Sequence, residues 1–281
     1  MCEFCHTHGE GKKWYLHAKN YSEDLLHDVR RRKLVQDFFS RPESLTGGVD
    51  GMARLARAPA LVRGMIRRLV TRRMKKTHFG QVVPVEEIEQ IFGFVNSIVR
   101  VACVCRKATL GQEKRFCYGV SLGPDGGELG RIFQGIDSSF FQGILGAGLE
   151  RLGKDEAAAA FRSHEKEGMC HTVWTFGTPF IGGICNCDRS DCLAMRATVT
   201  HAMPLMFRAE WVARIDPALC VGCRECMRLC QFGAILYSAA NRKAAVDVAR
   251  CYGCGICRAA CKKNAIVLDD RRAVLAAAHL W

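Results

Sequence analysis

Seventeen of the 281 residues are cysteines, and their spacing says more than their number. Eight fall in two runs, Cys220, Cys223, Cys226, Cys230 and Cys251, Cys254, Cys257, Cys261, each reading Cys-x-x-Cys-x-x-Cys-x-x-x-Cys. The repeat reaches past the sulfurs, because Ala234-Ile235 and Ala265-Ile266 keep the same offset of 31 residues (234 to 265). A Cys-x-x-Cys turn sets two thiolates on one side of a tight loop whose amides can point at inorganic sulfide. A third thiolate three residues later serves a further corner of an iron–sulfur cubane, and the fourth, one helical turn on, faces away toward a second site. Zinc knuckles would use two pairs of thiolates rather than two quartets in this rhythm.

The segment from about Glu210 to Asp270 resembles a bacterial two-cluster ferredoxin. That resemblance implies one [4Fe–4S] cluster on Cys220, Cys223, Cys226 and Cys261, and another on Cys251, Cys254, Cys257 and Cys230. The family usually carries proline after each fourth cysteine, whereas Gln231 and Lys262 stand here, which removes a rigid turn but no ligand. Over roughly residues 85–270 the order Cys-x-Cys-Arg, lone Cys, Cys-Asn-Cys, ferredoxin tail is similar to a broad group of ferredoxin-like iron–sulfur proteins of anaerobes. The wider resemblance implies a further metal centre without naming it.

The other cysteines cluster too. Cys103-Val104-Cys105-Arg106 follows an apolar run that reads as a buried strand over 98–105, and Cys117 lies on a strand-like segment at 115–122. Cys170-His171 opens another over 172–176, and 180–184 leads into Cys185-Asn186-Cys187, with Cys192 five residues on. A Cys-x-Cys pair is too close for an unstrained disulfide, and a strand points both thiols to one face. Cys103, Cys105, Cys117, Cys185, Cys187 and Cys192 are therefore candidates for an additional [4Fe–4S] cluster or a zinc site, iron–sulfur being favoured by an all-thiolate donor set. The alternative is that several pack as small buried hydrophobes. Cys170 repeats no ligand spacing, and His171 reads better as a satisfied core histidine than as a ligand. At the N-terminus Cys2 and Cys5 with His8 or His6 form a candidate metal clip. Cys-x-x-Cys-His is formally the c-type haem signature, but no export signal precedes it.

These sites need elements to hold them. The sequence predicts a helix from an N-cap at Ser22 to about Phe39, a breaker-rich linker, and a second helix from Pro59 to about Met74. On that second helix Ala58, Val62, Met65, Ile66 and Leu69 share a face, and nine basic residues with no acid lie between Arg54 and Lys76. Its partner could be its own domain, an acidic protein, anionic lipid or nucleic acid; the lack of interleaved aromatics weakens the last. Further helices are expected at 85–97, 142–153, 154–167 and 191–203, with a tight loop at 123–130. The fold class expected is α+β or α/β in three parts. Residues 1–83 form an N-terminal helical segment, 84–208 a central α/β domain with cysteine-rich strand ends, and 209–281 the dicluster domain.

Composition bounds the function. Hydrophobic residues at 49% and charged residues at 25% are ordinary for a globular protein, and no apolar stretch is long enough to span a bilayer. Cysteines without an export signal point to reduced thiols, metal and a cytoplasmic location. The net charge of +13 favours acidic partners. No catalytic triad, Walker loop or nicotinamide fingerprint accompanies the cysteines. The expected role is transfer of low-potential electrons between a ferredoxin or flavoprotein donor and a larger oxidoreductase complex, with peripheral membrane contact as a further expectation. Two other classes stay open. One is a small reductase with a catalytic metal built from the upstream cysteines, the other a redox sensor binding nucleic acid.

Overall fold

The computed structural model describes residues 13–40, 47, 48, 51, 52, 55, 58–135 and 149–280. The expected clip of Cys2, Cys5, His6 and His8 lies outside the described residues, as does most of the helix expected at 142–153. The last residues of that span, Glu150–Leu152, form a strand instead.

The centre is a seven-stranded sheet of β1 (Gly80–Val82), β2 (Ser97–Val101), β3 (Cys117–Ser121), β4 (Glu150–Leu152), β5 (Cys170–Thr175), β6 (Ile181–Cys187) and β7 (Met206–Phe207), in the order β4-β2-β3-β6-β5-β1-β7. Every neighbouring pair is antiparallel except β1 with β7. The class is thus α+β: short returns such as that between β5 and β6 replace the crossovers that a parallel α/β sheet requires.

Both sheet faces are covered, which is why all six residues of β5 are buried. One face carries helices α3 (Val85–Phe94) and α6 (Lys154–Lys166), joined through Phe92 and Phe161 at 5.3 Å between ring centroids. The other carries α1 (Val29–Ser40) and α5 (Gly127–Gln134), where Phe39 meets Phe133 at 4.4 Å. Ser22 caps as expected, accepting from the Asp24 amide, but its helix is interrupted. A 3₁₀ segment at Glu23–His27 ends at an extended Asp28 before α1 begins. Trp14, Tyr15 and Tyr21 are fully buried, with Trp14 bonded to Gln81 and Tyr15 to Glu87 at 2.6 Å each. The boundary expected at 83/84 therefore runs through a segment that shares the sheet's core.

Helix α2 (Ala60–Lys76) matches its predicted span, yet none of its residues is buried. Of the predicted stripe Val62, Met65 and Leu69 are 37%, 60% and 59% exposed, as is neighbouring Leu61 at 88%, so these side chains turn outward, while Ala58 and Ile66 are half-buried. Short helices α4 (Val104–Leu110) and α7 (Leu193–Met195, continued by a π turn over Arg196–Thr200) close the cysteine-bearing end of the sheet. The 98–105 run is accordingly not one strand. It breaks at Ala102, and Cys103 becomes the N-cap of α4.

The C-terminal module repeats one motif. β8 (Trp211–Ile215) pairs with β11 (Ile266–Asp270), β9 (Ile235–Ser238) pairs with β10 (Lys243–Val246), and α8 (Glu225–Leu229) and α9 (Ile256–Ala259) follow the two cysteine loops. Gly222 and Gly253 hold equivalent positions at φ +70° and +71°, where a Cβ would come within 2.2 Å of the Arg242 carbonyl and 2.0 Å of the Trp211 carbonyl. Gly253→Ala should therefore lose on the order of 3 kcal/mol of stability in thermal unfolding. Gly93→Ala, with open space around its Cβ, is the control and should change it by less than about 1 kcal/mol. Equal effects would refute the steric account. Among the described residues no helix is long and apolar enough to cross a membrane.

Candidate metal centres

In the C-terminal module Cys220, Cys223, Cys226 and Cys261 line one cavity of about 570 Å³, with Arg224, Arg228, Lys262 and Lys263 around its mouth. Cys230 lies instead near Cys257, whose thiol burial pushes up, helped by the charges of Cys254, Cys251 and Cys230. The structure thus brings each fourth cysteine toward the other run's trio. The Ala-Ile repeat acquires a reason here: the Ala234 amide donates to Cys230 Sγ at 3.2 Å and the Ala265 amide to Cys261 Sγ at 3.3 Å. The Ala213 amide donates to Cys251 Sγ at 3.4 Å. Backbone N–H groups aimed at sulfur, with all-thiolate quartets, fit anionic iron–sulfur clusters. Cys223 is exposed, whereas Cys251, Cys254 and Cys257 are buried.

A second group forms on the sheet. Register places Cys117 opposite Cys185 and Cys187 opposite Cys170, so these four thiols share one face. Cys103 and Cys192 arrive from above as N-caps of α4 and α7, with Cys105 one residue inside α4. All six upstream candidates line one apolar cavity of about 250 Å³, which is also lined by Phe38, Phe39, Phe133, Trp174 and Phe176. The Cys185 and Cys117 sulfurs are in contact at 3.2 Å, and the other four thiols line the same cavity. Hydrogen bonds from Cys105 and Cys117 hold the Cys103 thiol well below the usual range, and those from Cys105 and Cys187 do the same for Cys192. Among the described residues no three His, Cys, Asp or Glu side chains surround one point as ligands of a single ion would, and this is equally true of the ferredoxin quartets.

Arg106 supplies the counter-charge. It is 1% exposed, donates to the Asn186 carbonyl at 3.1 Å, reaches Cys103 Sγ at 3.6 Å, and pairs with Asp188. Phe116 lies under its guanidinium at 4.2 Å. A buried cation beside thiols stabilises them as thiolates. His171 is on the opposite face, bonded through Nδ1 to Asn186 at 2.7 Å and packed on Phe161. Burial lowers its pKa to about 4, so it is a neutral core histidine. His78 borders the cavity; burial likewise lowers its pKa to about 4, and its Nδ1 meets the Thr175 carbonyl at 2.5 Å.

Two residues carry more than their spacing announces. Cys170 is fully buried and belongs to the same buried apolar cluster as Cys254 of the ferredoxin module. Gln231, in the position of the missing proline, donates to the Gly168 carbonyl at 2.7 Å and accepts from the Arg189 amide at 3.0 Å. The departure from the ferredoxin pattern at 231 is the only sequence signal for this junction.

Taken with its paired cysteine loops, the C-terminal module defines an iron–sulfur domain of the two-cluster ferredoxin type, and its role is electron transfer. Residues 213–262 match the family described as 4Fe-4S dicluster domain. A stretch of 49 residues is 35% identical to small ribosomal subunit protein uS3c of Coffea arabica, covering 17% of this chain and 22% of that protein. The chain thus spans about a fifth of that curated relative's length, and the likeness carries no functional argument here. No solved structure matches the chain.

Proposed function

We propose that the chain is an electron-transfer unit that accepts low-potential electrons from an acidic ferredoxin or flavoprotein at the rim of the Cys220 quartet and works within a larger oxidoreductase assembly. Bound [4Fe–4S] clusters supply one-electron storage; the chain's own residues select the donor and hold the quartets in place. The observation that carries this reading is the basic mouth of the first quartet. Exposed Cys223 sits among Arg224, Arg228, Lys262 and Lys263, where an anionic partner is steered toward the metal. The outward Leu61, Met65 and Leu69 of α2, beside Arg68 and Arg72, support assembly with a further component.

We further propose that Cys103, Cys105, Cys117, Cys185, Cys187 and Cys192 hold an additional iron–sulfur centre. Six thiols around one cavity with a buried guanidinium favour a polynuclear, anionic centre over one zinc ion. A specific observation favours a second reading, a small reductase with its catalytic metal at these thiols: the cavity they line is apolar, shares its lining with aromatic rings and could take an apolar substrate.

The test uses a chemically reduced acidic ferredoxin as donor in stopped flow. Lys262→Glu with Lys263→Glu should slow the second-order reduction about tenfold at low ionic strength, and added salt should erase most of the difference. Unchanged rates with reversed charges would remove the proposed docking rim.

A further inference from the structure

Helix α2 is held to the domain along one side and at one end. Ile66, Val70 and Met74 recur at the helical spacing of four and are half-buried, and Met74 packs against the sheet core. Lys75 Nζ lies over the Phe207 ring of β7, 5.2 Å from its centroid. The last carbonyls are tied to the chain after β5: the Thr178 hydroxyl donates to the Lys75 carbonyl at 2.7 Å and the Thr178 amide to the Lys76 carbonyl at 3.1 Å. These contacts fix which side of the helix looks out, so the exposure of the other side belongs to the fold.

That outer side carries two kinds of residue at once. Leu61, Val62, Met65 and Leu69 are exposed, and so are Arg68, Arg72, Arg73 and Lys76. Arg68 stands three residues after Met65, Arg72 and Arg73 three and four after Leu69, and Lys76 four after Arg72, all neighbour spacings on a helix. Among the described residues no carboxylate pairs with these four cations, and the sequence from Arg54 to Lys76 contains no acid. A bilayer with anionic headgroups satisfies both kinds without fixed geometry. Aliphatic tips enter the acyl boundary while the long Arg and Lys side chains bend back to the phosphates. A protein partner would need carboxylates set between apolar pockets, and α2 offers no Trp or Tyr to anchor one.

We propose that the outer side of α2 docks the chain peripherally on an anionic membrane surface. Leu61, Val62, Met65 and Leu69 are set into the acyl boundary, and Arg68, Arg72, Arg73 and Lys76 lie on the lipid phosphates. The inference rests on the assembly part of the proposed function, naming lipid as the further component, and depends on neither cluster. No α2 residue lines the cavity at the Cys220 quartet, so membrane docking and donor docking use different side chains. An electron donor in solution and a lipid surface can then be engaged together.

The experiment is flotation of anaerobically prepared full-length protein with vesicles of phosphatidylcholine, alone or with about 30% phosphatidylglycerol. Binding to the anionic vesicles should be about tenfold or more stronger than to the neutral ones, and Arg68→Glu with Arg72→Glu and Lys76→Glu should lose that advantage. Leu61→Ser with Met65→Ser and Leu69→Ser should still bind at low salt but come off at physiological salt, where the unmodified protein stays partly bound. All six positions are exposed, so iron content and unfolding temperature should not change. Lys262→Glu with Lys263→Glu should float like the unmodified protein, and the α2 variants should be reduced by ferredoxin at the unmodified rate. Failure of the donor rim therefore shows in stopped flow alone, and failure of lipid docking in flotation alone. Absence of flotation, equal binding to both vesicle types, or anionic binding that both α2 variants keep would each overturn the proposal. A dimer abolished by the serine variant would overturn it by giving the face to a second copy. Retention on DNA or on acidic ferredoxin that the charge-reversed variant loses would likewise give the face to that partner.

Discussion

Anaerobically purified protein is expected to carry about twelve irons and twelve acid-labile sulfides per chain, and Cys103→Ser with Cys185→Ser should bring both to about eight. The two positions are chosen because Cys103 lines the cavity from a helix cap and Cys185 from the sheet. Every four-sulfur set of the six except Cys105, Cys117, Cys187 and Cys192 loses a ligand, while neither change touches the ferredoxin loops. Zinc in place of the extra iron would dismiss the upstream cluster, and an iron content that the double substitution leaves unchanged would dismiss every set but that one. An equal loss from the ferredoxin quartets would show that the substitutions act on the fold rather than on the site.

Arg106→Leu should be the most damaging single change outside the cysteines. The guanidinium is buried and ion-paired with Asp188, which also caps its own loop by accepting from the Asp191 amide at 2.7 Å. Taking away the cation leaves Asp188 without its charge partner and the Asn186 carbonyl without its donor. Losses of this kind cost about 3–5 kcal/mol. The expected result is a lowered unfolding temperature together with loss of the upstream iron and retention of the ferredoxin iron. Arg106→Lys keeps the charge but not the fork that reaches both Asp188 and Asn186, and should fall between the two. If Arg106→Leu unfolds like the unmodified protein and keeps all its metal, the counter-charge account is wrong.

How much is legible in the sequence depends on the range of the interactions. The ferredoxin loops are local, with every ligand of a trio within seven residues (220 to 226), so spacing suffices to pick them out and the repeat at Ala234 and Ala265 marks the same period. The six upstream cysteines can be grouped by their Cys-x-Cys pairs, but not placed. Cys103 and Cys105 read as strand because Ile98–Ala102 is apolar, whereas the chain turns at Ala102 to cap α4. The antiparallel character of the sheet is hidden because alternating helices and strands do not reveal strand order, and β3 reaches β6 only through pairing 68 residues away (117 to 185). The helix at 60–76 is legible in length but not in orientation, since Val62, Met65 and Leu69 of its apolar stripe face solvent. Cys170 and Gln231 are invisible as partners for the same reason: their meaning lies in contacts between segments more than 60 residues apart (168 to 231).

The uneven shielding of the sulfurs has a chemical cost that falls on one side only. Oxygen and peroxide attack thiolate and cluster sulfur where they can reach it. Cys223 stands in solvent, Cys105, Cys117, Cys185, Cys230 and Cys261 are half-buried, and Cys251, Cys254, Cys257, Cys103, Cys187 and Cys192 are buried. Corrosion therefore starts at the outermost loop. The feature that opens the chain to an electron donor is also its sacrificial edge in air.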